Sequence, residues 1–189
     1  MNKRAKAILY FWFEQVSHKE KFEKNKVFDE KVRIIFFKDY QKAVINKYDH
    51  WERSANECLA LIILLDQFSR NFFRNNTKAF AVDKKARSFA TKAIDLCYHK
   101  ILKKDQIIFL FLPFMHSEEL KDQIYCKKLI NTYLIDHPNY DEAKKYAQIH
   151  EDIIKKFGRF PYRNKVLGRK TTKEEEKYLN STHYDFFNI

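Results

Sequence analysis

The sequence predicts an all-α fold, an antiparallel array of helical hairpins with about seven to nine helices. Three observations predict it. Apolar residues recur three and four positions apart along most of the chain, and no stretch alternates apolar with polar residues as a strand does. Glycine occurs 2 times and proline 3 times in 189 residues, too few for the turns of a β-sandwich or barrel or for a glycine-rich nucleotide loop. Capping side chains stand ahead of several apolar stretches.

The first helix carries Ala5, Ile8, Leu9, Trp12, Phe13 and Val16 on one face, and the lysine-rich stretch from His18 to Lys26 reads as a loop. A second helix places Phe28, Val32, Ile35, Phe36, Tyr40 and Val44 inward. Ser54 followed by Glu57 has capping-box spacing, so a third helix begins there and runs through Cys58, Leu61, Ile62, Leu65 and Phe68. Apolar on nearly every side, it is expected to be the most buried element, with the others around it. Thr77 is read as the cap of a fourth helix carrying Phe80, Ala86, Ala90, Ala93, Ile94 and Cys97. A fifth, from near Asp105, is expected to end near Pro113, because proline removes a donor and disfavours helix at the residue before it. Ser117 caps a sixth, with Leu120, Ile124, Leu129 and Leu134 inward. A seventh runs from near Asp141 to Phe157 with Ala143, Tyr146, Ala147, Ile153 and Ile154 inward, and stops at Gly158. Thr172 and Glu175 repeat the capping box ahead of a short last helix. No linker interrupts the pattern. One domain over residues 1–189 is expected, large enough to bury roughly 70% of the surface its unfolded chain exposes.

Composition narrows the function classes. The net charge is +12, which raises the question of nucleic acid or an anionic surface. The charge is mostly lysine spread along the whole chain, however, and no nucleic-acid reader motif is present, so nucleic acid is not an expected partner. The apolar runs at 58–65 and 107–115 fall short of the roughly 20 residues of a membrane span, so no membrane association is expected. The start MNKRAKAILYFWF imitates a signal peptide but lacks a small-residue cleavage site. Cys58, Cys97 and Cys126 are odd in number and show no CxxC spacing, which points to a reducing, cytoplasmic setting. Without thiolate pairs or an HExxH stretch, neither metal nor cofactor is expected. Oligomeric state is not legible.

Three segments depart from plain core. Asp66, Gln67 and Arg70 close the most apolar helix, and Arg74 follows four residues on. They read either as an intrahelical Asp66–Arg70 pair or as the wall of a polar pocket. In PFMHSEELKDQ, His116 and Glu118 stand at a helix start, with Gln123 a turn later. Glu118 there could serve the helix dipole, or work with His116 in proton transfer. In IHEDIIKKFGRFPYRNKVLGRK lie both glycines and Arg159, Arg163 and Arg169, with His150 upstream on the apolar face of its helix. A guanidinium suits carboxylate or phosphate bidentately, yet the same arginines could tie a loop to the body.

The stretches FWF around Trp12, LIILLDQFSRN with Arg74, AFAVD ending at Asp83, LPFMHSEELKDQ and IIKKFGRFPYRNKVLGRKTTKEE, in this order, resemble the bacterial and plant family called domain of unknown function 924. The resemblance implies a tetratricopeptide-like superhelix and marks these positions as important, without implying a reaction. Tyr162 stands where the family more often has histidine, and the trailing THYDFF matches less well. No 34-residue self-similarity accompanies it.

Taken together, the clusters suggest a pocket for a small anionic ligand bearing phosphate or carboxylate, with Asp66, His116, Glu118 and His150 as candidate acid–base groups. Trp12, Gln67, Arg70, Arg74, Gln123, Arg159, Arg163, Asn164 and Arg169 are the candidate binding residues. The rival expectation is a non-catalytic module whose helical groove takes an acidic peptide.

Overall fold

A computed structural model describes residues 1–181, and they contain ten α-helices and no strand. The THYDFF stretch lies outside the described residues. Helix α1 (Lys3–Tyr10) widens at its end into a π-type turn, Phe11–Gln15. Ala5, Ile8 and Trp12 are fully buried on the predicted face. The stretch read as a loop instead contains a short helix, α2 (His18–Phe22). Ser17 and Glu20 cap it reciprocally, a signal hidden by the surrounding lysines.

Helix α3 (Lys26–Val44) starts on the Asn25 side chain and buries Phe28, Val32, Phe36, Tyr40 and Ala43. Ile35 and Val44, expected inside, are exposed, because the buried stripe advances mostly by four and leaves them beside it. Helix α4 (Ala55–Ile62) begins after Ser54 as predicted, yet without the predicted capping box. Glu57 instead accepts the Asn2 backbone N–H at 2.5 Å and so ties the chain start to the central helix.

Every residue from Cys58 to Phe72 is buried. After α4 the chain makes a second π-type turn, Ile63–Phe68, then a last turn, α5 (Ser69–Phe72). The expected cap at Thr77 is supplied by Asn76 and serves a 3₁₀ turn, Thr77–Ala79. Helix α6 (Asp83–Asp95) follows and buries Ala86, Phe89, Ala90, Ala93 and Ile94. Cys97 lies past its end, exposed and at φ +57°.

Helix α7 (Lys104–Met115) runs through Pro113 rather than stopping before it. The proline sits in the final turn, where it removes one helical donor; the surrounding turn is fully packed in the core, and the helix still closes on His116 N–H to Leu112. Helix α8 (Leu120–Tyr133) starts after Glu119, whose side chain makes no cap, and not at Ser117, whose hydroxyl accepts the Glu119 N–H and donates to Asp122 at 2.6 Å. It turns Gln123, Cys126, Leu129 and Ile130 inward while Leu120 and Ile124 face out, one step off the expected stripe. Helix α9 (Tyr140–Phe157) ends on Gly158 at φ +68°, and α10 (Lys173–Leu179) starts with the predicted Thr172–Glu175 box.

From α6 to α9 each helix packs on the next, the hairpin array the sequence predicts. The N-terminal half departs from it, with α1 on α4 and α3 on α5. One apolar core runs from Ala5 to Ala147 around α4, and a small satellite of Ile153, Ile154 and Phe160 seats the last turns.

Candidate functional site

The polar end of the central helix meets the end of α7 inside the protein. His116 caps α7, and its Nδ1 lies 2.8 Å from Asp66 Oδ1, 50 residues away in sequence. A carboxylate only accepts, so Nδ1 carries the proton and Nε2 keeps its lone pair. Gln67 Nε2 donates to the other Asp66 oxygen at 2.6 Å, and Arg70 Nη1 stands 3.4 Å from Asp66 Oδ1. Arg70 also bonds the Asp66 carbonyl and donates from Nη2 to Asp83 at 3.2 Å.

Burial pushes His116 below its ordinary pKa and the Arg70 charge adds to this, together outweighing Asp66. Burial opposes ionisation of Asp66 as well, but His116 and Arg70 beside it prevail, and its carboxyl stays well below the usual carboxylate range. With His116 neutral at pH 7, the guanidinium of Arg70 sustains the Asp66 charge. His150, on α9, donates Nδ1–H to the Tyr146 carbonyl at 2.8 Å, and burial lowers it to about 3.

His116, Gln67, Arg70 and His150 border a cavity of about 310 Å³, within the range of small-molecule sites, whereas Asp66 and Asp83 stand outside its wall. Gln67, Arg70, Asn71, Arg74, His116 and His150 form one part of its wall, and Phe13, Phe22, Ile108, Phe109, Leu112 and Met115 another. Arg74 holds Asp29 through both Nε (2.6 Å) and Nη2 (2.7 Å), and Asn71 donates to the same carboxylate at 2.8 Å. The 66–70–74 stripe is broken because α5 stops at Phe72. Arg74 nonetheless reaches the cavity from the following turn.

The structure takes the other candidates elsewhere. Glu118 is no proton donor beside His116. Its carboxylate accepts the Phe160 N–H at 2.8 Å and both Arg169 Nη groups, at 2.7 and 3.1 Å. Burial raises its pKa, but Arg169 and the Phe160 N–H outweigh this and keep it ionised. Arg159 pairs with Glu175 through Nε (2.7 Å) and Nη2 (2.9 Å) and holds that carboxyl down to about 2, while Asn164 donates to Glu175 at 3.2 Å. Arg163 is buried between the rings of Phe80 and Phe160, each 4.6 Å away, with Asp83 at 3.8 Å. Gln123 donates to the carbonyls of Phe114, Met115 and Ser117, which holds α8 to the end of α7. Trp12 is core, edge-on to Phe68 and Phe109. None of these seven residues borders the cavity.

The first and third clusters also meet, at Asp83. Asp83 receives Arg70 from the first cluster and Arg163 from the third. Sequence reasoning missed the mouth of the cavity, where His18, Lys21, His137 and Glu142 stand. The Ser17–Glu20 box was the available signal for the helix that carries the first two. It also missed Asp29, Asn71 and the stripe of α7, a helix so apolar that no face stands out. Among the described residues no three His, Cys, Asp or Glu side chains gather as metal ligands would, and no helix is long and apolar enough to cross a membrane.

No curated protein matches the chain. A solved structure, that of the protein of unknown function ATU0120 from Agrobacterium tumefaciens, superposes with a TM-score of 0.86 at 35% identity, covering 94% of this chain and 97% of that one. The model of a family described as bacterial proteins of unknown function, DUF924, matches residues 8–183. With the motifs, the fold and this neighbour in agreement, the chain belongs to the DUF924 family.

Proposed function

We propose that the cavity binds a small molecule bearing a carboxylate or phosphate, and that His116, oriented by Asp66, exchanges a proton with it. One observation carries the reading: a neutral imidazole, fixed in one tautomer by a buried carboxylate, lies in the wall of a cavity of ligand size. A group packed only for stability has no need of open space beside it. His150 and Gln67 place further polar side chains in the same wall. The three free cysteines support a cytoplasmic setting. An acidic peptide is the weaker reading, since Arg159 and Arg169, the guanidiniums it would need, already hold carboxylates.

Methionine offers a direct test, because the chain has only Met1, exposed, and Met115, buried in the cavity wall. Inorganic phosphate, acetate and benzoate titrated into methyl-¹³C-methionine protein should shift Met115 saturably with at least one probe and leave Met1 in place. His116→Gln should weaken that binding at least tenfold. A Met115 signal indifferent to all three probes and to the longer carboxylate octanoate overturns the reading, and unchanged binding by His116→Gln removes His116 from it.

A further inference from the structure

The arginines in the cavity wall have no charge to spare. Arg70 lies between Asp66 and Asp83, and Arg74 is bidentate on Asp29. At the mouth, His18 lies 3.8 Å from Glu142. Lys21 on α2 differs, for among the described residues no carboxylate stands within ion-pair distance of its ammonium, and Asp105 and Glu14 act on it only through space. Its Nζ lies over the rings of Phe13 at 5.3 Å and Trp12 at 5.8 Å. A half-buried ammonium against aromatic faces, deprived of water and of a counter-ion, is where an incoming anion gains most.

The cavity also has a direction. Asp105, Ile108, Phe109, Leu112, Met115 and His116 line it at three- and four-residue spacing, so it follows one face of α7. At 1.5 Å per residue this stripe is ~16 Å long. Asp105, the acid that Lys21 senses, stands at one end of the stripe, and His116 with Asp66 stands at the other. Between them the wall is apolar, and Phe22, next to Lys21, stacks on Phe109 at 6.5 Å.

We infer that the ligand is an elongated amphipathic anion whose acid group pairs with Lys21, whose apolar body lies along α7, and whose far end points towards His116. This rests on the cavity reading above and adds the anion-binding residue and the chemical class of the ligand. It also moves the charge recognition from the arginines to a lysine.

Octanoate and octanol are the probes, read by the Met115 methyl signal. Octanoate should bind saturably, and octanol at least tenfold more weakly. Lys21→Leu should weaken octanoate at least tenfold and leave octanol unchanged, and Lys21→Arg should restore the preference for the acid. Equal binding of acid and alcohol by the wild-type protein, or octanoate binding unaffected by Lys21→Leu, overturns the inference. If phosphate or acetate moves Met115 and octanoate does not, the amphipathic ligand falls and the anion cavity stands. If no probe moves Met115, both fall.

Discussion

The end of the central helix and the segment from Gly158 to Thr172 look alike as sequence, each with arginines gathered near acids, and they do different work. In the segment every arginine is engaged with the protein itself. Arg159 closes on Glu175, Arg169 on Glu118 and the Phe160 carbonyl, and Arg163 stacks between two phenylalanines. This is a clamp that fixes the chain after α9 to the start of α8. At the helix end Asp66, Arg70 and His116 also satisfy one another, but their cluster borders open space. Arginine enrichment alone therefore does not distinguish a site from a strut. What distinguishes them is whether the paired groups still face a cavity.

The comparison breaks most visibly at the residue the two regions share. Asp83→Asn should leave the buried guanidiniums of Arg70 and Arg163 without their common anion and lower stability by about 3–5 kcal/mol in urea denaturation. A loss below about 1 kcal/mol would show that the regions are independent. Next in size, Glu118→Gln should cost about 1–3 kcal/mol by weakening the Arg169 pair and the Phe160 contact. The same variant should leave octanoate binding as in the wild type, because Glu118 lies outside the cavity wall. Altered octanoate affinity would erase the distinction between clamp and site.

The smallest effect comes from pH. His150 is lowered to about 3, so the unfolded chain takes up a proton near 6.5 that the folded protein refuses. Stability is therefore complete above pH 6.5 and falls as the pH drops from there towards 3. At pH 5.5 the loss from this one residue is about 1.4 kcal/mol. His150→Gln should reduce the fall in unfolding free energy between pH 7 and 5.5, measured by urea denaturation, by about 1.3 kcal/mol. An equally steep profile would assign the acid sensitivity to His116 and His99, which burial lowers in the same direction.

Much of the architecture was legible because helix signals are local. The Gly158 stop and the Thr172–Glu175 box fell where expected, since a left-handed turn and a reciprocal cap need only a few neighbouring residues. Errors arose where a distant partner intervened. Glu57 has capping-box spacing and is drawn away by Asn2, 55 residues distant. Pro113 is a helix breaker by rule and is carried by the close packing of α7. Of the proposed site, Gln67, Arg70, Arg74, His116 and His150 reach one cavity; Asp66 touches it only through His116, and Glu118 and the clamp residues do not reach it. Lys21 was passed over because its stretch read as solvated lysine.

The sequence by itself determined that the chain is helical, that α4 lies at its centre, and which residue types are too costly to bury without partners. Those properties follow from periodicity, capping and desolvation, which act over one or two turns. Only the tertiary structure decided which partner each charge received, because an ion pair such as Arg169 with Glu118, or a hydrogen bond such as His116 with Asp66, joins residues some 50 positions apart. Side-chain direction and helix packing set those encounters, and with them which polar groups close a clamp and which remain beside a cavity.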